Sequence, residues 1–169
     1  MAGLRKGKCY NTKHKRAYTR RSKYKGKGYI KAVPPNKIVK YDQGNLKKEF
    51  EGMVNLRVKQ EIQIRHNAIE SARQDIHRNL IKLLGNNYHL KVRVYPHHIL
   101  RENKMITGAG ADRMQTGMQR AFGKAIGSAA QVKKNQAVIS VLCDKKDIVS
   151  ARVALRSAIP KLPGKYYIE

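Results

Sequence analysis

The first 41 residues of the chain contain fourteen lysines and arginines and no aspartate or glutamate. A segment with this composition repels itself when it is compacted, and its few aliphatic side chains, which lie mostly from Ile30 onward, cannot build a hydrophobic core. The sequence therefore predicts an extended basic N-terminal arm over residues 1–45, which becomes ordered only against a partner. It predicts a single folded domain over residues 46–169.

The charge of the whole chain points to a polyanion as that partner. Lysines and arginines number 37 against 11 aspartates and glutamates, which gives a formal net charge of +26, whereas small domains usually carry a net charge of about 2 to 8. Tyrosines are interleaved with the basic residues of the arm and can stack on unpaired bases, which favours RNA. Tyr29 and Tyr41 could equally pack against the folded domain. No run of about 18 apolar residues is present, so no membrane partner is expected and the cytoplasm is the default location.

Beyond the arm, apolar side chains follow two strand–helix–strand patterns. In the first, residues 53–64 alternate as in a strand, with a slip at 59–60 that indicates a bulge or a break, before a helix and a strand over 90–94. The expected helix is capped by Asn67 and Glu70 and ends at Gly85. The second pattern has a strand over 136–143, a helix capped by Asp144 and Asp147 and ended by Pro160, and a short strand over 166–168. Together they predict an α+β or mixed α/β fold with two helices packed on one mixed sheet.

Residues 96–134 separate the two patterns and contain five glycines among basic side chains. Connections of this length are usually functional or disordered, so the sequence predicts a long internal loop. Gly108-Ala109-Gly110 begins like a dinucleotide-binding fingerprint, but the third glycine is absent. Small residues of this kind instead allow a backbone to approach a crowded nucleic-acid surface.

No arrangement of side chains predicts catalysis, a metal site or a cofactor. His97 and His98 have no carboxylate or cysteine at ligand spacing and are expected to be polar loop residues. Cys9 and Cys143 show neither metal-ligand nor disulfide spacing, and Cys143 ends an apolar run in which it should pack as a small hydrophobic residue. The protein is therefore not expected to be an enzyme.

Several motifs occur together along the chain: KCY at 8–10, RAYT at 16–19, YDQGN at 41–45, IRHNA at 64–68, and the segments RVYPH, LRENK and TGAGADR between 93 and 113, extended over 117–124. In this combination the chain resembles, over nearly its whole length, the universal large-subunit ribosomal protein family called L sixteen in bacteria and L ten-e in archaea. Ala17 and Tyr41 depart from the family pattern, in which proline and phenylalanine are common. The chain ends soon after its final strand, without the extension of eukaryotic relatives, so an archaeal type is expected.

The resemblance implies an α/β-hammerhead fold and a structural role on cytoplasmic ribosomes. Its implied partners are large-subunit ribosomal RNA, the acceptor end of tRNA near the peptidyl transferase centre, and neighbouring large-subunit proteins. Contacts with ribosomal RNA are expected at Arg5, Lys6, Lys8, Tyr10, Lys13, Lys15, Arg16, Tyr18, Arg20, Arg21, Lys23, Lys25, Lys27, Arg65, His66, Arg120 and Lys124. The loop over 101–116 is expected to face tRNA through Arg101, Asn103, Lys104, Met105, Gly108, Gly110, Asp112 and Arg113. A free-standing RNA chaperone or assembly factor is the alternative, and an RNA-processing enzyme is a third hypothesis.

Overall fold

The computed structural model of the protein describes residues 17–19, 24, 30, 32–103, 108–110 and 123–169. The elements are, in order, β1 (Asp42–Gly44), β2 (Gly52–Val58), β3 (Ile62–Arg65), α1 (His66–Leu84), β4 (His89–Val92), β5 (His98–Glu102), β6 (Lys124–Val132), β7 (Ala137–Cys143), α2 (Ile148–Ala158) and β8 (Tyr166–Ile168). Single turns of 3-10 helix, Lys145–Asp147 and Ile159–Lys161, flank α2. The α+β class with two helices, predicted from the sequence, is confirmed.

The described strands form two antiparallel sheets, so the prediction of one mixed sheet was wrong. One sheet has the order β1-β4-β7-β2-β8 and the other the order β3-β6-β5. The alternating stretch over 53–64 is broken at three exposed polar residues, 59–61, and contributes β2 to one sheet and β3 to the other. Periodicity shows which residues of a strand are buried, but it does not show which sheet buries them.

The core lies between the helices and the inner faces of the sheets. Leu56, Ile76, Leu80 and Leu155 are completely buried, and each burial contributes about 1.5 to 3 kcal/mol. Small residues of α2 (Ala151, Ala154 and Ala158) allow it to approach α1 closely, and Asn79 Nδ2 donates to Ser157 Oγ over 2.7 Å between the helices. Cys143 is fully buried at the end of β7, as predicted, and burial raises the pKa of its thiol. Cys9 lies outside the described residues.

The predicted helix caps do not form. Helix α1 begins at His66, one residue before Asn67, and makes no side-chain capping bond. Glu70 instead binds the guanidinium of Arg73 at 2.6 and 2.8 Å. The carboxylate of Asp144 binds Lys48 Nζ at 2.7 Å rather than the start of the following turn. Where cations greatly outnumber carboxylates, ion pairs compete with capping bonds for each carboxylate. The predicted stop at Gly85 is confirmed, with a φ of +59°.

The boundaries predicted for the arm and for the internal loop also change. Strand β1 and the buried Ile38 belong to the segment assigned to the arm, so folded structure begins before residue 46. Strands β5 and β6 lie within 96–134, which leaves only residues 103–123 as the connection between them. The sequence of β6, KAIGSAAQV, buries mainly glycine, serine and alanine, whose weak hydrophobic alternation concealed the strand.

Candidate nucleic-acid interface

The β5–β6 hairpin forms the base from which the glycine-rich loop extends. Arg101 pairs with Ala125 and Glu102 with Lys124, so residues 103–123 connect the ends of two adjacent strands. Gly108 is exposed, and a Cβ added there would meet nothing within 4 Å in the described part of the chain. Crowding among the described residues therefore does not require a glycine at this position, which is consistent with an approach to a separate molecule.

The arm attaches to the outer edge of this hairpin at Tyr18. The backbone amide of Tyr18 donates to His98 Nδ1 over 2.8 Å, and the amide of Ile99 donates to the Tyr18 carbonyl over 2.9 Å. The guanidinium of Arg101 stacks 3.6 Å from the centroid of the Tyr18 ring. Tyr18 thus extends the three-stranded sheet by one residue and covers part of an edge strand that would otherwise expose backbone groups.

His98 does not behave as the expected polar loop residue. It lies on β5 with only 4% of its surface exposed, because its ring turns inward to accept the amide of Tyr18. His97 is exposed and contacts the ring of Tyr95, with 4.7 Å between centroids. Tyr95 also stacks on Tyr41 at 5.5 Å, so packing accounts for the ring of Tyr41.

A second attachment point lies at residues 36–38. The amide of Lys37 donates to Nδ1 of His66 over 2.8 Å, and the Ser128 hydroxyl donates to Asn36 Oδ1. Ile38 packs in the core. Burial lowers the pKa of His66, and the charges of Lys37 and Arg65 lower it further, which favours the neutral ring that can accept this bond at Nδ1.

The carboxylates of the folded domain are largely occupied by the protein's own cations. Six described carboxylates form ion pairs with described cations: Asp42 with Lys91, Glu51 with Lys145, Glu70 with Arg73, Asp75 with Arg78, Asp144 with Lys48, and Glu169 with Arg57. The large remaining excess of cations is therefore available to an external polyanion.

A family model described as ribosomal protein L16p/L10e matches residues 13–169. The chain belongs to this family. It is 48% identical over 157 residues to the large ribosomal subunit protein uL16 of Methanoculleus marisnigri (92% of this chain, 89% of the relative). It is 48% identical over 159 residues to that of Methanosphaerula palustris (94% and 88%), and 46% identical over 157 residues to that of Hyperthermus butylicus (92% and 87%).

Membership of the L16p/L10e family decides several expectations. The protein is a structural ribosomal component and not an enzyme, its location is the cytoplasmic ribosome, and the relatives named above are archaeal, as predicted. In the part of the chain that the structure describes, no helix is long and apolar enough to cross a membrane.

The L16p/L10e residues expected to contact RNA fall into two groups where they are described. Tyr18, Arg101, Asn103 and Lys124 surround the base of the loop. Arg65 pairs with Ala129 further along β6, the ring of His66 lies beside Gly127, and half of the surface of each residue or more is covered. Outside the described residues lie Arg5, Lys6, Lys8, Tyr10, Lys13, Lys15, Arg16, Arg20, Arg21, Lys23, Lys25, Lys27, Lys104, Met105, Asp112, Arg113 and Arg120. Gly108 and Gly110 are exposed.

Sequence reasoning missed the residues that fasten the arm: Asn36, Lys37, His98 and Ser128. The paired prolines before Asn36 indicated only a turn or an extended segment. One signal was available, because a serine and a histidine in apolar strands require hydrogen-bond partners once they are buried.

Proposed function

We propose that the protein is a constituent of the large ribosomal subunit that binds large-subunit ribosomal RNA through its arm and basic surface. Its loop over 101–116 helps to position the acceptor end of tRNA near the peptidyl transferase centre during translation. Neighbouring large-subunit proteins are further partners. The family and the relatives named large ribosomal subunit protein support the ribosomal part of this proposal.

The arrangement at β5 is the observation that supports the tRNA-positioning part of this proposal. One strand holds the attachment point of the basic arm at His98 and Ile99, and its end at Glu102 begins the glycine-rich loop. An arm that is held by RNA would thereby fix the base of a loop that reaches away from the domain. Such pre-organisation lowers the entropic cost of ordering the loop against tRNA.

The test uses large subunits assembled with one of two variants. In the first, residues 104–113 are replaced by a short glycine–asparagine linker, which leaves the Glu102–Lys124 pairing intact. In the second, Arg20 and Arg21 are replaced by glutamine. We expect the loop variant to sediment with the large subunit in moderate salt but to bind tRNA more weakly, and the arm variant to wash off more readily.

Unchanged tRNA binding by subunits that contain the loop variant would contradict the positioning role. Wild-type protein that washes off the subunit in moderate salt would instead favour a free-standing RNA chaperone or assembly factor. Both measurements are made on the same gradient fractions, so loss of the protein is not mistaken for loss of tRNA binding.

A further inference from the structure

We propose that Tyr18 is a positioning residue that orients Arg101, so that seating of the arm determines the direction of a side chain at the base of the loop. This inference rests on the proposed function only in assigning tRNA to the loop. The contact between the two residues stands on the geometry of the hairpin.

The backbone of Tyr18 is fixed before its side chain is considered. Its amide and its carbonyl are both bonded to β5, at His98 Nδ1 and at the amide of Ile99. The acceptor at His98 is buried, which protects this bond from competition with water. The backbone of Tyr18 is therefore held beside the strand, from which its ring reaches the guanidinium of Arg101.

Arg101 needs such a surface because the strand pairing is irregular at its position. Leu100 pairs with Gly127 but Arg101 pairs with Ala125, so Ile126 is the extra residue of a β-bulge. A bulge breaks the regular alternation of side chains and redirects the residues that flank it. Pairing with β6 alone therefore does not set the direction of the Arg101 side chain.

The ring of Tyr18 contributes a constraint that the strand pairing does not. The guanidinium lies 3.6 Å from the ring centroid, well inside the distance of about 6 Å at which cation–π attraction is effective. Both residues are partly buried, which strengthens the attraction relative to an exposed pair. A long side chain that is already held in one orientation loses less conformational freedom when it meets a ligand.

The contact itself is tested by nuclear magnetic resonance on the full chain. The ring current of Tyr18 should shift the Hδ resonances of Arg101 upfield. We expect this shift to persist in Tyr18→Phe, which keeps the ring, and to disappear in Tyr18→Leu. Absence of the shift in the wild type and in Tyr18→Phe, or its persistence in Tyr18→Leu, would overturn the inference.

The consequence is tested on large subunits with an RNA minihelix that ends in the tRNA acceptor sequence. We expect Tyr18→Leu to weaken the binding of the minihelix about fivefold and Tyr18→Phe to leave it unchanged. The double variant, Tyr18→Leu with Arg101→Gln, should bind the minihelix no more weakly than Arg101→Gln alone. Minihelix binding is expressed per copy of the protein incorporated into subunits, and a loss in Tyr18→Leu that disappears on this basis would show that the ring serves only to anchor the arm. If Arg101→Gln leaves minihelix binding unchanged, tRNA is not the ligand that Arg101 contacts. The resonance measurement still decides whether Tyr18 orients Arg101.

Discussion

The backbone amide of Lys37 donates a hydrogen bond to Nδ1 of His66 over 2.8 Å and joins the arm to the first residue of α1 across 29 positions of sequence. Nδ1 can accept this bond only while it carries no proton. Burial lowers the pKa of His66 and keeps Nδ1 free of a proton, so the attachment of the arm depends on pH.

Acid should weaken this attachment. Because the pKa of His66 is lowered from 6.5 in the folded state, the unfolded chain binds the proton first as pH falls. The stabilisation is complete above pH 6.5 and is lost as pH falls from there toward the pKa of the folded state.

His66→Asn keeps an acceptor near the position of Nδ1 and does not titrate, so its urea midpoint should fall less between pH 7.5 and 5.5. His77, whose pKa burial also lowers, remains in both proteins and contributes equally. Equal losses in the two proteins would contradict this account.

A buried polar network should make Ser140 sensitive to truncation. Its hydroxyl donates to Asn55 Oδ1 over 2.6 Å and accepts from Arg93 Nε over 2.9 Å. Ser140→Ala leaves a buried amide oxygen without this donor, so we expect the free energy of unfolding to fall by about 1 to 3 kcal/mol in urea denaturation. Ser71→Ala, on the exposed face of α1, is the matched control and should change it by less than about 0.5 kcal/mol.

Two glycines with positive φ should respond differently to alanine. At Gly44, with a φ of +94°, a Cβ would lie 2.1 Å from the carbonyl oxygen of Tyr88, which also accepts the amide of Asn45. Backbone strain at residue 44 and displacement of the Tyr88 carbonyl together should lower the free energy of unfolding of Gly44→Ala by about 2 to 5 kcal/mol. They should also expose the β1–β4 amides to hydrogen exchange. Gly85→Ala has open space around it, so only the strain of its backbone, with a φ of +59° and a ψ of −114°, opposes the substitution, and the cost should be smaller, about 1 to 3 kcal/mol. Equal costs would show that the contact with Tyr88 relaxes freely.

The salt dependence of RNA binding should reveal which arginines neutralise phosphates. Replacing Arg20 and Arg21 with glutamine should reduce the slope of log K against log salt by about 0.7 to 0.9 for each phosphate that is no longer neutralised, measured with a fragment of large-subunit ribosomal RNA. Arg152 and Arg156, exposed on α2, provide a control pair with the same change in net charge. An equal reduction in the control pair would indicate a diffuse effect of charge rather than binding by the arm.

The sequence was sufficient for elements whose signal is local. Ile69, Ile76 and Leu80 have the spacing of a helix and are buried on α1, and Gly85 ends that helix as predicted. Strand β6 was missed, because glycine, alanine and serine show little hydrophobic alternation even when they are buried. The caps were mispredicted because both carboxylates bind cations instead. Glu70 binds Arg73, three residues along the same helix, and Asp144 binds Lys48, which comes near it only in the folded chain.

The sequence by itself determined that the protein carries a strongly basic arm and two helices, since charge and periodicity are properties of consecutive residues. Only the tertiary structure decided where that arm attaches. Tyr18 and His98 are 80 positions apart, and neither residue type indicates a contact with the other. Hydrogen bonds at such separations depend on which edge strand and which buried ring the fold brings together. Folding therefore links the arm to the loop, although composition alone predicts an affinity of each for a polyanion.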